Sequence, residues 1–461
     1  MATEEKREKF SSRIGFLLIA AGCAVGLGNV WRFPYITGQC GGALFVLIFL
    51  AFLVTLGLPY LIIEIAVGRA ARKSLSEAFE VLGEKNNGWR HNKYWMIAGN
   101  YILMSFYGLV TGWLLYYAVE FAAGGFGDGL TEEKAGATFG GLLGAPGTMT
   151  IYMIICSVVA FAIVALGVVK GVERITKPLM VLLLVMLNGM AINAAFMDGF
   201  AEGMSYYLVP DFSRVEKVGL MEVVWSAMSH AFFTLSIGIG AIEIFGTYAD
   251  KEHSVVSEAI WIAVLDTIVA LLAGVVIFPA CFTYGVEPSA GPGLLFVTLT
   301  TVFSNIVGGK ILGTIFFIFM LCAAMTTLIA VYENIITMCT ELFRISRRKS
   351  VIINFLVVTA LSMPVLLGFN VLGFIHPMGG ESCILDFQDF LISNNILPLG
   401  SVIFVLFITA RNGMQWKNFV AEVNTGSGLK LSPKLFWYFR YVLPLAVIIV
   451  LIAGYLQIFM K

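Results

Sequence analysis

Residues 21–34 read Ala-Gly-Cys-Ala-Val-Gly-Leu-Gly-Asn-Val-Trp-Arg-Phe-Pro and lie inside an apolar segment long enough to cross a bilayer. Glycine costs a helix interior about 1 kcal/mol against alanine, and proline about 3 kcal/mol. In lipid, broken backbone persists only where protein or a water-filled cavity satisfies the freed N–H and C=O groups. Gly22, Gly26 and Gly28, followed by Asn29, Arg32 and Pro34, therefore mark a span broken for a ligand, with a glycine-lined helix crossing as the plain alternative. Amides freed at Leu27 and Gly28 stand at a half-helix end whose dipole favours negative charge, so a carboxylate fits there. Freed carbonyls supply neutral oxygen ligands of the kind a hard cation takes. Residues 230–248 repeat the pattern with Gly238 and Gly240. Asp266 is a carboxylate at mid-span, expensive in lipid and so a functional candidate by default.

These residues need membrane helices to hold them. The chain is 59% hydrophobic and 13% charged, well below the quarter or so of a soluble domain, which reads as an all-α polytopic membrane protein. Its 29 basic and 29 acidic residues balance, with no basic stripe, so no nucleic-acid partner is expected; the expected surroundings are a lipid bilayer. Apolar runs of spanning length fall near 12–36, 42–69, 94–123, 149–168, 177–197, 219–248, 256–280, 309–341, 350–369, 388–410 and 436–459, about eleven helices. With the N-terminus cytoplasmic, 23 Lys and Arg lie on inner flanks, five on outer ones, and Arg32 is embedded. That bias puts a multi-pass protein in the plasma (cell inner) membrane with its C-terminus outside. Breaks in spans 1 and 6, five spans apart, suggest an inverted five-plus-five helix repeat. The expected organisation is one transporter domain over 1–461, with halves at about 12–197 and 219–410 and an extra span at about 436–459. The seven cysteines and four histidines show no zinc-like spacing, and no nucleophile–base pair or soluble catalytic domain is visible, so no enzyme is expected.

The run Gly22–Pro34, the Phe-Phe-Thr-Leu-Ser of 232–236 and the Thr326–Thr327 pair resemble the neurotransmitter:sodium symporter family, especially its bacterial amino-acid branch. The likeness extends from about Arg7 to the end. It implies that Ala24, Leu27, Gly28 and the Tyr107 hydroxyl face the substrate, with its carboxylate on the amides and the tyrosine. Carbonyls around Phe233, Thr234 and Ser236 would accept its ammonium, although Cys23 replaces an asparagine found nearby in a relative. Leu103, Phe233, Ile239, Thr327 and Val331 would line an uncharged side-chain pocket. The resemblance also implies two sodium sites. One would comprise the Ala24 carbonyl, Asn29, Thr234, Asp266 and the substrate carboxylate. The other would comprise the carbonyls of Gly22, Val25 and Ala323 with the hydroxyls of Thr326 and Thr327. Chloride-dependent relatives carry asparagine at the Asp266 position and serine four residues on, where this chain has Ala270, so no chloride requirement is expected. Arg32 would gate the outer side with Asp389, or in a competing register Asp386, above a lid of Tyr107 and Phe233. Arg7, Glu341 and Tyr248 would gate the inner side, with Phe10 replacing a tryptophan, and Glu64 would brace the broken sixth span. His230 stands where many relatives have glutamine.

Gly26 separates substrate classes, because monoamine-transporting relatives place an aspartate there to meet an amine. A glycine leaves room for a substrate that brings its own carboxylate. The expected function is thus sodium-coupled uptake of a neutral, hydrophobic amino acid, aliphatic or aromatic, by alternating access. A membrane amino-acid sensor that binds without net transport is the alternative.

Overall fold

The computed structural model describes residues 10–84, 88–127, 129–285, 293–305 and 308–459, with side chains of the last helix as far as Leu456. Ser12 starts span 1, its hydroxyl accepting the Gly15 amide at 3.1 Å and so satisfying one of the donors that a helix start leaves free. The helix Arg13–Ala24 then stops, and the chain resumes as Gly28–Gln39 at 54° to it. Among the described residues nine further helices are long and apolar enough to cross a membrane. In chain order these are span 2 (Ala43–Ala71), span 3 (Gly88–Ala123), span 4 (Pro146–Ala165), span 5 (Val168–Ala194), span 7 (Val255–Thr283), span 8 (Gly309–Phe343), span 9 (Arg347–Leu367), span 10 (Ile384–Thr409) and span 11 (Pro433–Leu456). Span 6 is in pieces: Leu220–Thr234 ends, and only the single turn Glu243–Gly246 resumes. Each of the eleven apolar runs thus has a counterpart in the all-helical fold.

Span 5 begins at Val168 rather than near 177. Glu173 bonds Lys177 one turn on and takes the Ser11 amide at 2.9 Å, so charges that read as a loop are satisfied inside the helix. Spans 3 and 8 pack side by side through the middle of the bundle. The first half of span 1 lies against spans 7 and 8, and the last turn of span 6 against span 2.

Around span 6 bare backbone meets bare backbone. A methyl group on Gly68 of span 2 would overlap the Glu243 carbonyl, and one on Gly246 the Ile65 carbonyl. One on Gly238 would strike the Leu397 carbonyl of span 10, and one on Gly400 the Gly238 carbonyl. Gly238 and Gly240 also hold φ of +99° and +71°, backbone that an L side chain strains to adopt.

Candidate functional site

The break in span 1 exchanges ladder bonds for bonds to other spans. The Gly26 amide donates to Asn29 Oδ1 at 3.1 Å, and the Leu27 amide to the Tyr107 hydroxyl of span 3 at 3.2 Å. In an unbroken helix those two amides would bond the carbonyls of Gly22 and Cys23. These carbonyls take hydroxyls instead. Thr327 Oγ1 of span 8 lies 3.4 and 3.3 Å from them, and Ser236 of span 6 donates to Cys23 at 3.2 Å from a φ of +53°. Thr326 donates to the Ala323 carbonyl at 2.8 Å. Val25 leaves the helix with ψ 96°, its amide still on Ala21. The Gly22 and Ala323 carbonyls and both threonine hydroxyls are therefore one cluster of neutral oxygens.

A second cluster centres on Asp266 of span 7, which is fully buried. Asn29 Nδ2 donates to its Oδ1 at 2.8 Å and to its backbone carbonyl at 3.1 Å, while Thr234 Oγ1 lies 3.1 and 3.0 Å from the two carboxylate oxygens. These bonds all come from neutral groups. A buried carboxylate so held is a ready counter-charge for a small cation, and its donor set of oxygens suits sodium.

Between the two breaks lies a cavity of about 20 Å³, walled by Cys23, Ala24, Gly26, Leu27, Gly28, Leu103, Tyr107, Phe233, Ser236, Thr327 and Leu397. That is room for a single water molecule, so a larger ligand must displace a wall. A Cβ on Gly26 would sit 2.6 Å from the Tyr107 hydroxyl and 2.7 Å from Thr327 Oγ1, and one on Gly28 2.9 Å from the Phe233 ring. Two residues expected in the side-chain pocket do not line this cavity. Ile239, between Gly238 and Gly240 with their positive φ, packs on Gly99, while its carbonyl accepts Asn100 Nδ2 at 2.8 Å. Val331, one turn past Thr327, is fully buried away from the cavity. Leu397 is on the wall and carries no signal in the sequence, being a leucine in an apolar run; only its offset of four from Ser393 and eight from Asp389 hints at a shared face.

Span 1 begins on the near face of the bundle, and the far face carries Arg32. Its guanidinium reaches Asp389 at 3.2 Å and Ser393 at 2.6 Å, and stands 4.8 Å over the Phe233 ring. Asp386, the acid of the competing register, takes the Cys383 amide at 2.9 Å. Around the pair opens a vestibule of about 340 Å³, which runs from Tyr35, Gln39, Glu222 and Asp386 down to Tyr107 and Phe233 on the cavity wall. Ser229 of span 6 also ties to span 10, through Asn394 at 2.8 Å.

On the near face Phe10, Arg13, Tyr248 and Glu258 border a cleft of only about 20 Å³. Arg13 pairs with Glu258 at 2.8 Å, and the Phe10 and Tyr248 rings meet edge-on at 5.7 Å. Of the expected inner gate, Arg7 lies outside the described residues. Tyr248 donates to Glu333 at 3.1 Å, and Glu341 takes the Ser74 amide at 2.9 Å and its hydroxyl at 2.6 Å. Arg69, buried, bonds Glu422 and the His253 carbonyl, each at 2.7 Å. Glu64 accepts the Gly238 amide of the second break. His230 packs as an aromatic, 5.2 Å from Phe49 and 5.6 Å from Phe33.

A sequence profile of the Sodium:neurotransmitter symporter family matches residues 7–124 and 138–460. The chain belongs to that family. Among its relatives, an "Uncharacterized sodium-dependent transporter" of Haemophilus influenzae is 33% identical, over 98% of this chain and 100% of the relative. The "Uncharacterized sodium-dependent transporter YhdH" of Bacillus subtilis is 31% identical, over 97% and 98%. The crystal structure of MhsT in complex with L-phenylalanine matches 97% of this chain and 99% of its own, with a TM-score of 0.88 and 36% identity. The chain is accordingly a sodium-dependent, multi-pass membrane transporter of the symporter family, not an enzyme.

Proposed function

We propose that this symporter takes up a neutral amino acid with a hydrophobic side chain, aliphatic or aromatic, together with two sodium ions and without chloride. The observation that carries the reading is the corner at Gly26–Gly28. There the Tyr107 hydroxyl accepts the Leu27 amide and keeps its own proton to give, while a Cβ on Gly26 would collide. A substrate carboxylate fits that corner, and the cavity wall offers no charged side chain to replace it. The L-phenylalanine in complex with MhsT, 36% identical, supports the same substrate class. One sodium ion would use the Ala24 carbonyl, Asn29, Thr234, Asp266 and the substrate carboxylate. The other would use the Gly22, Val25 and Ala323 carbonyls with Thr326 and Thr327.

The Lys and Arg distribution supports a cytoplasmic near face, and the vestibule would then open outward, while among the described residues the near face offers only the cleft of about 20 Å³. The five-helix halves, about 12–197 and 219–410, would rock against each other about the two breaks to alternate that access, with span 11 outside the repeat. The driving force suffices. A tenfold sodium gradient gives ~1.4 kcal/mol per ion and ~100 mV adds ~2.3 kcal/mol per charge. Two ions with a zwitterion thus supply about 7 kcal/mol, a limiting accumulation near 10⁵-fold.

In proteoliposomes, labelled L-phenylalanine should accumulate under an inward sodium gradient and not under a potassium gradient. L-Leucine should compete, whereas phenethylamine, which lacks the carboxylate, should compete at least about tenfold more weakly. Equal competition by the amine would refute the carboxylate corner, and sodium-dependent binding without accumulation would favour a sensor.

Sodium dependence should also track the threonine pair. The double variant Thr326→Ala, Thr327→Ala removes two hydroxyl oxygens and leaves the Gly22 and Cys23 carbonyls without Thr327. At about 1 kcal/mol for each lost polar contact, half-saturation should move to roughly tenfold higher sodium or beyond. An unchanged sodium titration of binding would remove the pair from the second site.

A further inference from the structure

We infer that Leu397 of span 10 sets the largest substrate side chain that the carrier accepts, because it joins the cavity wall to the outer gate. The inference rests on the amino-acid reading above. Leu397 is buried and walls the central cavity. Ser393, four residues before it, holds Arg32 at 2.6 Å and also donates to Asp389 at 2.9 Å. Between them Ile392–Ile396 forms a wider π-turn, closed by the Leu397 amide on the Ile392 carbonyl. Such a turn rotates less per residue than an α-turn, and it brings Leu397 toward the face that carries Asp389 and Ser393.

The other walls have prior commitments. Thr327 bonds the carbonyls of span 1, Tyr107 holds the Leu27 amide, and Phe233 lies under Arg32. Leu27, Leu103 and Leu397 are left to pack against a side chain; Leu27 sits at the corner whose amide Tyr107 holds, and of the three Leu397 is the one on the helix of Asp389 and Ser393. At this level its helix is backed by span 6, because the Leu397 carbonyl abuts Gly238 and the Gly238 carbonyl abuts Gly400, so any displacement is directed toward the turn that carries Ser393. A substrate side chain that overfills the cavity therefore presses on Leu397. The strain passes one turn up the helix and draws Ser393 and Asp389 from Arg32. Size is thus judged when the gate closes, rather than when the substrate enters the vestibule.

The test compares inhibition constants of L-alanine and L-tryptophan for sodium-dependent binding to the purified full-length carrier. Leu397→Ala should move the tryptophan-to-alanine affinity ratio about tenfold or more toward tryptophan, and Leu397→Phe a similar amount toward alanine, since a single methylene in an apolar pocket discriminates by about tenfold or more. If the alanine variant does not fold, Leu397→Val should shift the ratio in its direction by a smaller factor. Ile396→Ala is the control, because Ile396 packs on Gly99, away from the cavity. Unchanged ratios, shifts of one sign in the alanine and phenylalanine variants, or an equal shift in the Ile396 control would each overturn the inference. A parent protein that binds no amino acid would instead overturn the proposed function, and the inference with it.

Discussion

Asp266→Asn should lower sodium-driven uptake about 100-fold at fixed sodium, the equivalent of roughly 3 kcal/mol for removing the charge from a buried ionic site. The substitution keeps the shape and one oxygen but loses the negative charge that two sodium ions crowding a neutral substrate require. In a low-dielectric interior that charge acts strongly on its neighbours. The bonds it takes from Asn29 and Thr234, at 2.8–3.1 Å, come from neutral donors, and among the described residues no side-chain cation pairs with it. The parent should transport equally in chloride and gluconate media. Ala270 is one helical turn from Asp266 and fully buried, so Ala270→Ser in the Asp266→Asn background adds a hydroxyl where an anion can replace the lost charge. That double variant should recover part of the uptake in chloride only. A parent that needs chloride, or an Asp266→Asn variant that transports normally in gluconate, would take Asp266 out of this role.

Arg32→Ala should cut transport tenfold or more while changing equilibrium substrate binding by less than about threefold. The ion pair with Asp389 is partly exposed, 21% and 36% for the two side chains, and such pairs contribute about 1 kcal/mol or less. A latch of that strength suits its task, since a gate held by a deeply buried pair would not reopen in every cycle. Without the guanidinium, Phe233 loses the cation above its ring and the vestibule stays in contact with the cavity, so bound substrate escapes outward. Asp389→Ala should behave alike, somewhat more mildly, because Ser393 still holds Arg32 at 2.6 Å. The comparison needs initial uptake rates beside equilibrium binding for both variants. Binding abolished by Arg32→Ala and untouched by Asp389→Ala would mean that Arg32 contacts the substrate and that the pairing is wrong.

The parts of the site that break a rule of membrane helices are legible without coordinates. Glycines at 22, 26 and 28, glycines at 238 and 240, and a carboxylate at 266 each contradict their apolar surroundings, and each lies at a break or beside one. Residues that obey those rules stay hidden. Leu397 is one leucine among many, and its place on the wall depends on a π-turn that no residue type announces. Ile239 falls in the pocket by resemblance, yet between two positive-φ glycines it packs on Gly99. Asp386 and Asp389 are equivalent acids in sequence, and only the helix start at Cys383, which Asp386 caps, separates their tasks. The start of span 5 is concealed in the sequence because Glu173, Lys177 and Ser11 neutralise one another across 162 residues of chain.

The glycine seam around span 6 bears on how such a carrier can diversify. Gly68, Gly238, Gly246 and Gly400 let three backbones touch, and none of them faces the space where a cargo would lie. Leu103 and Leu397 do face it, and they can change volume without disturbing that contact. A descendant lineage can therefore acquire a new cargo through one or two pocket substitutions while its seam stays frozen. The freedom to innovate and the intolerance to change lie within one helix, with Leu397 three residues from Gly400.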